Sequence, residues 1–389
     1  MSRTERPLRV AMNAVAARPG GGLSYLLSQI PHLDGCVDLR VFAGPSVAPT
    51  LSEAFRRLSV EQLPRWAAPL PLRLLWEHIV FPYLARDADV LYSIGTFASL
   101  TRRKPQVVVV LIPYVFGPEG RQVIAHTKAP LPFRARISLQ RLLGRLTISR
   151  ATVLIATSEF TASQIRSSTR NGGNVRVVPI AGADVPANES SRAEGQPFEF
   201  SRPYALSVGG DPPHKDQLGL IQSWPVNSGL DLVLAGNSHS VRSSKVDAAV
   251  RKRDDVHWLG PIDGYGRLFQ LYREAEVVVC HSLLEGFGMT PLEAMAQGTP
   301  VVASDIPAHR EVCGDAALYY DPFDRSQLFP VIQEILTKPD LAEQLVAAGK
   351  ERLTLFSWAD NGEAMCGVFH EVGRQNNLAR HEGDAGGVI

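Results

Sequence analysis

Short runs of aliphatic and β-branched residues alternate with longer amphipathic stretches along most of the chain, the pattern of repeated βαβ units. In the first half the runs predict strands at Leu8–Val15, Val37–Ala43, Val90–Ser93, Gln106–Ile112, Thr152–Thr157 and Val175–Pro179. In the second half they predict strands at Tyr204–Val208, Leu230–Ala235, Val256–Leu259, Glu276–Cys280, Pro300–Ala303 and Ala316–Tyr319. Runs that are apolar on both faces belong to parallel sheets covered by helices on both sides. Between the two sets, Pro186–Pro203 is rich in Ser, Glu, Gly and Pro and reads as a linker.

A chain of 389 residues, 45% hydrophobic, suits two domains rather than one core. The expected organisation is a first domain over 1–185, a linker over 186–203 and a second domain over 204–356. A C-terminal helix over 357–375 is expected to cross back to the first domain, with a flexible tail over 376–389. The formal net charge is +1, so no polyanionic partner is demanded. The charge is uneven, however: residues 101–150 hold ten Lys or Arg against the single acid Glu119. The four cysteines, Cys36, Cys280, Cys313 and Cys366, form no CxxC pair and have no zinc-site spacing, which fits a reducing compartment. No run approaches the roughly 18 apolar residues of a membrane helix, and no secretory apolar core opens the chain.

The chemically richest stretch is His281–Ser304, HSLLEGFGMTPLEAMAQGTPVVAS. A strand ends near Cys280 and the loop Glu285-Gly286-Phe287-Gly288 follows. A helix then begins, with Thr290 expected as N-cap, Pro291 at the first helical position and Glu293 three residues after the cap. Gly298 closes it. Loop glycines allow close backbone approach, and free N–H groups at a helix start attract anions such as a diphosphate. Glu285 and Glu293 bracket this spot and can accept hydrogen bonds from vicinal hydroxyls. Locally, Glu293 reads equally well as the partner in a capping box, and the glycines as turn residues.

The same stretch resembles the signature of the retaining glycosyltransferases of family 4, E-G-F-G-x-x-x-L-E-A-M-A-x-G-x-P-V-V. Glu285, Gly286, Phe287, Gly288, Leu292, Glu293, Ala294, Met295, Ala296, Gly298, Pro300, Val301 and Val302 all match it. The resemblance covers the second half, through Tyr204–Gly209, His214-Lys215-Asp216, Leu232–Gly236, Trp258–Pro261, Leu271–Ala275 and Phe356-Ser357-Trp358. It implies the GT-B architecture, an α/β fold of two Rossmann-like doubly wound domains facing across a cleft. It also implies that Glu293 holds the donor ribose, that Glu285 contacts the transferred sugar and that Lys215 neutralises the diphosphate. Glu285 and Lys215 are thus the expected catalytic residues. Gly286, Phe287, Gly288, Met289, Thr290, Gly209, His214, Gly236, Leu259 and Gly260 are the other expected donor contacts. No metal and no cofactor are expected beyond the nucleotide sugar itself.

The first half matches more loosely. Pro19-Gly20-Gly21-Gly22, before a helix expected over Leu23–Ile30, resembles the family's glycine-rich phosphate or acceptor loop. It is not a dinucleotide fingerprint, because the next expected glycine is Tyr25. Where many relatives carry a His after the fourth strand, this chain has Pro113-Tyr114-Val115, so no acceptor-side residue is carried over. His126 and His78 lie near in sequence, each more readily read as structural. Asp87-Ala88-Asp89 resembles a metal-binding DxD but precedes a strand and reads as solvated carboxylates.

Arg134–Arg150, RARISLQRLLGRLTISR, reads either as a basic amphipathic helix suited to an anionic membrane or as an ordinary sheet-covering helix with arginines outward. Nucleic acid is disfavoured because no aromatic interleaving accompanies the charge. The expectation is a cytoplasmic hexosyltransferase acting in surface polysaccharide synthesis, with a peripheral location at the inner face of the plasma membrane as the option the basic helix adds. It would take a mannose- or rhamnose-type nucleotide sugar and act on a saccharide or lipid-linked acceptor. A sugar-nucleotide epimerase of the same fold and an inactive binding paralogue are the alternatives.

Overall fold

In a computed structural model the described residues are 6–95, 97–101, 104–128, 131–168, 174–184, 198, 200, 202–237 and 243–385. The chain divides into two compact units. The first comprises residues 1–117, 135–179 and 358–389, and the second comprises 118–134 and 180–357. The boundary is therefore not a single point in sequence: 118–134 pack with the second unit, whereas the sequence reading kept all of 1–185 together.

The first unit is built on a 7-stranded sheet of order β3-β2-β1-β4-β5-β6-β7. Its strands are β1 (Arg9–Ala14), β2 (Asp38–Ala43), β3 (Ser59–Gln62), β4 (Val90–Ile94), β5 (Gln106–Val110), β6 (Val153–Ala156) and β7 (Val175–Val177), all parallel. β5 is four consecutive valines after Gln106, buried on both faces. Each buried valine contributes about 1.5–3 kcal/mol of transfer free energy, which is why so polar-poor a run sits at mid-sheet. β3 was not expected: Ser-Val-Glu-Gln is a polar edge strand with no apolar run to mark it.

The second unit is built on a 6-stranded parallel sheet of order β10-β9-β8-β11-β12-β13. Its strands are β8 (Tyr204–Val208), β9 (Asp231–Ala235), β10 (Val256–Gly260), β11 (Val277–Cys280), β12 (Val301–Ser304) and β13 (Leu318–Tyr320). Each predicted strand is present, with its ends shifted by a residue or two. In both sheets the order reverses beside the first strand of the unit, between β1 and β4 and between β8 and β11. Such switch points open a crevice at the carboxyl ends of the strands.

Most of the predicted linker lies outside the described residues. Its end is packed rather than loose: the Phe200 ring lies 4.8 Å from Tyr204 and 5.4 Å from His257. The last helix, Trp358–Ala385, runs on past residue 375, where a flexible tail was expected. No proline interrupts that stretch, and its Asn, Leu, Ala, Arg and Glu residues tolerate helix. Residues 386–389 are outside the described set.

The helix belongs to the first unit. Trp358 packs edge-on to Tyr25 at 5.5 Å, and Phe369 to Tyr92 at 5.1 Å. Buried Asn361 donates to the Pro179 carbonyl at 2.7 Å and accepts from Gln29 at 3.0 Å. Gln29 and the Tyr25 and Tyr92 hydroxyls close a buried network around it. Cys36 and Cys366 are joined by a disulfide, while Cys280 and Cys313 are free and buried. The disulfide departs from the reading of the cysteine pattern as one that fits a reducing compartment. Pairing across a sequence separation of 330 leaves no local signature, because only the fold brings the last helix to the segment before β2. In the chain-entropy account a cross-link over so long a loop restrains the unfolded chain by about 5 kcal/mol or more.

Thiol titration of the unfolded chain checks this bond. Without reductant two thiols should react, and after reduction four. Four reactive thiols before reduction would show that Cys36 and Cys366 are not joined.

Candidate active site

The site forms where β8 and β11 end side by side. After β11 the chain enters a loop that is buried from His281 to Phe287. Its backbone is tied on both sides: Leu283 N–H donates to the His214 carbonyl at 2.7 Å, and Ser282 N–H to Ser304 Oγ at 2.9 Å. Exposure returns at Gly288, Met289 and Thr290, where the helix Met289–Ala296 begins.

The N-cap is Gly288, with φ 96°, and not Thr290. A left-handed residue without a Cβ starts the helix earlier than the sequence pattern suggested. Thr290 is thus inside the first turn, and its hydroxyl bonds Tyr272 instead of capping. Glu293 does not close a capping box either. Its carboxylate accepts from the Tyr272 hydroxyl at 2.7 Å and from the Ala183 amide. Phe287 points into the core of the unit, 5.3 Å from Phe356, so it shapes the loop and does not line an open face.

After β8 the chain makes a short turn, Pro213–Lys215, ending at Asp216 with φ 34°. That turn places Lys215 Nζ 2.6 Å from Glu285 Oε1. Ser282 Oγ donates to the same oxygen at 2.6 Å. The two charged side chains are only 19% and 8% exposed, so water screens the pair poorly. Lys215 also feels the charge of Glu293. The two acids predicted from sequence therefore share one cation.

Gly209, with φ 151°, passes directly over the Lys215 stem: a methyl there would lie 3.4 Å from Cε. Gly236, after β9, is required outright, since a Cβ would fall 2.3 Å from the Gly209 carbonyl oxygen. Gly236 N–H in turn donates to the Gly260 carbonyl at 2.8 Å, which brings Leu259 and Gly260 to the same edge of the sheet. His214 and Gly286 are both buried there. In the first unit Gly20, with φ 95°, caps a helix that begins at Gly21, two residues before the expected Leu23.

Burial opposes ionisation of Glu285, but Lys215, His214 and His309 together override it and hold its carboxyl near 2. Burial likewise opposes the Lys215 charge, and Glu285 more than restores it. Glu293, lacking so close a cation, is pushed up by burial against the bond from Tyr272. Burial lowers His214 and His309 to about 4, the pull of Glu285 being the smaller effect. Both imidazoles are therefore neutral near pH 7. His309, Tyr272 and Ser282 were not singled out from sequence as site residues. Tyr272 stood in a matching block without a role, and no local pattern marks the other two.

The remaining candidates lie elsewhere. The His126 ring packs edge-on to Phe323 at 4.9 Å. His78 is half-buried near Phe97, and neither ring nitrogen has a hydrogen-bond partner among the described residues. Asp89 is buried and takes Arg6 at 2.8 Å and the Arg9 amide at 3.0 Å, so it is a structural anchor and not a solvated carboxylate. Asp87 is exposed. Among the described residues no group of three or more His, Cys, Asp or Glu is placed to hold a metal ion.

Two doubly wound parallel-sheet units, with a glycine-lined, charge-paired site at a switch point, define the GT-B class of fold. Residues 192–352 match the family described as glycosyl transferases group 1. The chain is 34% identical over 140 residues to the O-antigen chain mannosyltransferase RfbU of Salmonella typhimurium, covering 35% of this chain and 39% of that protein. It is 33% identical over 163 residues to O-antigen chain mannosyltransferase B of Escherichia coli, covering 40% and 42%. The matched stretches thus span less than half of either relative. The structure of sucrose-phosphate synthase from Thermosynechococcus elongatus shares the fold, with TM-score 0.72 at 20% identity over 94% of this chain and 99% of that one.

Acid should weaken the fold through the two buried histidines. Unfolded, they bind protons near pH 6.5; folded, they do so near 4. The unfolded state therefore holds more protons between those values, and stability is lost as pH falls from about 6.5 to about 4. Glu285 extends the loss from about 4.5 towards 2. The thermal midpoint should drop through this window, less steeply in His309→Gln. Equal slopes for the two proteins would contradict the burial of a neutral His309.

Proposed function

We propose that the chain is a retaining hexosyltransferase. It would move a hexose, of mannose or rhamnose type, from a nucleoside diphosphate sugar to a hydroxyl of a saccharide or lipid-linked glycan in surface polysaccharide synthesis. The observation that carries the reading is the Lys215–Glu285 pair beside the open start of the helix Met289–Ala296. The names of the two mannosyltransferase relatives support the sugar class.

In the proposed reaction the C1–O bond to the diphosphate breaks and the acceptor oxygen bonds C1 on the same face. The acceptor proton passes to the departing phosphate oxygen. Negative charge grows on that diphosphate. Lys215 and the N–H groups from Gly288 to Thr290 supply the opposing charge, with no metal or cofactor required. Glu285, fixed by Lys215 and Ser282, would hold hydroxyls of the transferred sugar. Glu293, fixed by Tyr272, would hold the ribose diol. Leu259, Gly260 and Gly236 would border the nucleobase, and Gly20–Gly22 would meet phosphate or acceptor.

A peripheral membrane location is the companion proposal. On the helix Leu131–Ile148, Ile137 and Ile148 are buried, but Leu139, Leu142 and Leu146 are exposed beside Arg134 and Arg136. Arg141 is not outward as expected: its guanidinium reaches the Tyr114 and Gly117 carbonyls at 3.4 Å. The Arg145 side chain lies outside the described residues. On the helical segment 70–84, Leu72, Leu75, Ile79 and Tyr83 are exposed as well. Apolar side chains among arginines suit an anionic bilayer surface. No helix among the described residues is long and apolar enough to cross a membrane.

Glu285→Gln should lower turnover by about 100-fold while donor affinity changes little, whereas Glu293→Gln should weaken donor binding. Unchanged activity in both variants would refute the site assignment. Donor consumed without an acceptor would favour the epimerase. Co-sedimentation with anionic vesicles should exceed that with zwitterionic ones and fall several-fold in Leu142→Gln/Leu146→Gln. Equal sedimentation with both lipids would refute the membrane proposal.

A further inference from the structure

The turn that presents Lys215 is held by a buried ion pair that the donor reading leaves without a role. Asp216 closes the turn Pro213–Lys215 with φ 34° and ψ 46°, a left-handed conformation disfavoured for a residue that bears a Cβ. It also stands directly before the helix Gln217–Ser223, where an aspartate ordinarily accepts from the first free N–H groups. Its side chain makes no such cap. The carboxylate turns instead to Arg325, whose Nη2 lies 2.5 Å from Oδ2. The Asp216 and Arg325 side chains are 3% and 29% exposed, so the contact lies mostly out of water. His281 Nε2 approaches the same oxygen at 3.9 Å. Burial outweighs the pull of Asp216 and lowers the His281 pKa, so near pH 7 this imidazole is neutral. The cation in contact with Asp216 is thus Arg325.

The fold keeps a recess for this pair. Gly219, in the first turn of the helix Gln217–Ser223, is buried. A methyl there would fall 2.1 Å from Asp216 Oδ2 and 2.4 Å from Arg325 Nη2. Neither atom could stay in place, so the missing side chain is what admits the pair. Arg325 reaches it from the short turn Arg325–Gln327, which follows β13. The same Nη2 lies 3.4 Å from His126 Nε2. His126 ends the helix Glu119–His126, which packs on the turn Pro213–Lys215 itself. One guanidinium therefore touches the residue after Lys215 and the helix that rests on the lysine's turn. A buried ion pair is a weak source of net stability, whereas a site that must hold a charge in place benefits from a fixed frame.

We infer that Arg325 is a positioning residue for the proposed donor site: seated in the Gly219 recess, it locks Asp216 and so fixes the turn from which Lys215 meets a diphosphate. The ligand named here rests on the transferase reading; the coupling of Arg325 to Lys215 does not. Arg325 acts through the lysine and does not itself touch the ligand. A misplacement of about 1 Å is enough to spoil such a contact, so loss of the lock is read in anion affinity.

The test is calorimetric titration of the full chain with inorganic pyrophosphate, in a double-mutant cycle over Arg325 and Lys215. Lys215→Gln alone should weaken binding about tenfold, and Arg325→Gln alone about fivefold. The double variant should bind no more weakly than Lys215→Gln. Arg325→Lys, which keeps one cation for Asp216, should recover most of the loss. Gly219→Ala changes no charge and favours helix, yet it should weaken binding as Arg325→Gln does. Circular dichroism verifies that each variant is folded. Losses that add in the double variant would reveal long-range charge in place of a lock and overturn the inference. So would unchanged affinity in Arg325→Gln or in Gly219→Ala, or no pyrophosphate binding by the unmodified chain. Coupling between Arg325 and Lys215 in a chain that binds no nucleoside diphosphate sugar would sink the transferase reading and leave the lock standing.

Discussion

Strands β8 and β11 lie side by side because the second sheet reverses its order between them, and that adjacency sets Lys215 2.6 Å from Glu285. Taking both charges out of water costs several kcal/mol per ion before their attraction offsets it, so the pair is a poor device for stability alone. It is well suited to a site where charge must be fixed before a substrate arrives. Lys215 keeps the carboxylate ionised and Glu285 keeps the lysine charged against burial, while Ser282, on the loop, donates to the shared carboxylate oxygen.

The glycines around this pair are consequences of the same geometry. Gly236 must lack a side chain because the Gly209 carbonyl passes where a Cβ would be, and Gly209 itself lies against the lysine stem. Gly288 takes a left-handed conformation so that the helix starts early and leaves its first N–H groups on the open side of the buried loop. Tyr272 and the Ala183 amide then hold Glu293 in place from outside the motif. The site is thus positioned by residues far apart in sequence, tied by short polar contacts in a dry setting.

What could be read in the sequence follows from what is local. Buried parallel strands announce themselves as apolar runs, and the thirteen matching motif positions from Glu285 to Val302 marked the loop and helix that carry Glu285 and Glu293. Contacts between distant segments were not legible. The polar edge strand Ser59–Gln62 gave no apolar signal. The cap at Thr290 was misplaced because pattern favours a hydroxyl, while the backbone uses Gly288. Asp89 looked solvated because only the fold brings Arg6 to it. The Cys36–Cys366 bond depends wholly on tertiary packing.

The central claim is that Lys215 and its acidic partner receive a nucleoside diphosphate sugar. Calorimetry of the unmodified chain and of Lys215→Gln against UDP-, GDP- and dTDP-sugars tests it most directly. The account predicts that one nucleotide class binds and that losing the lysine weakens it about tenfold or more. Binding of that donor with the same affinity in both proteins, or of no donor at all, would contradict it.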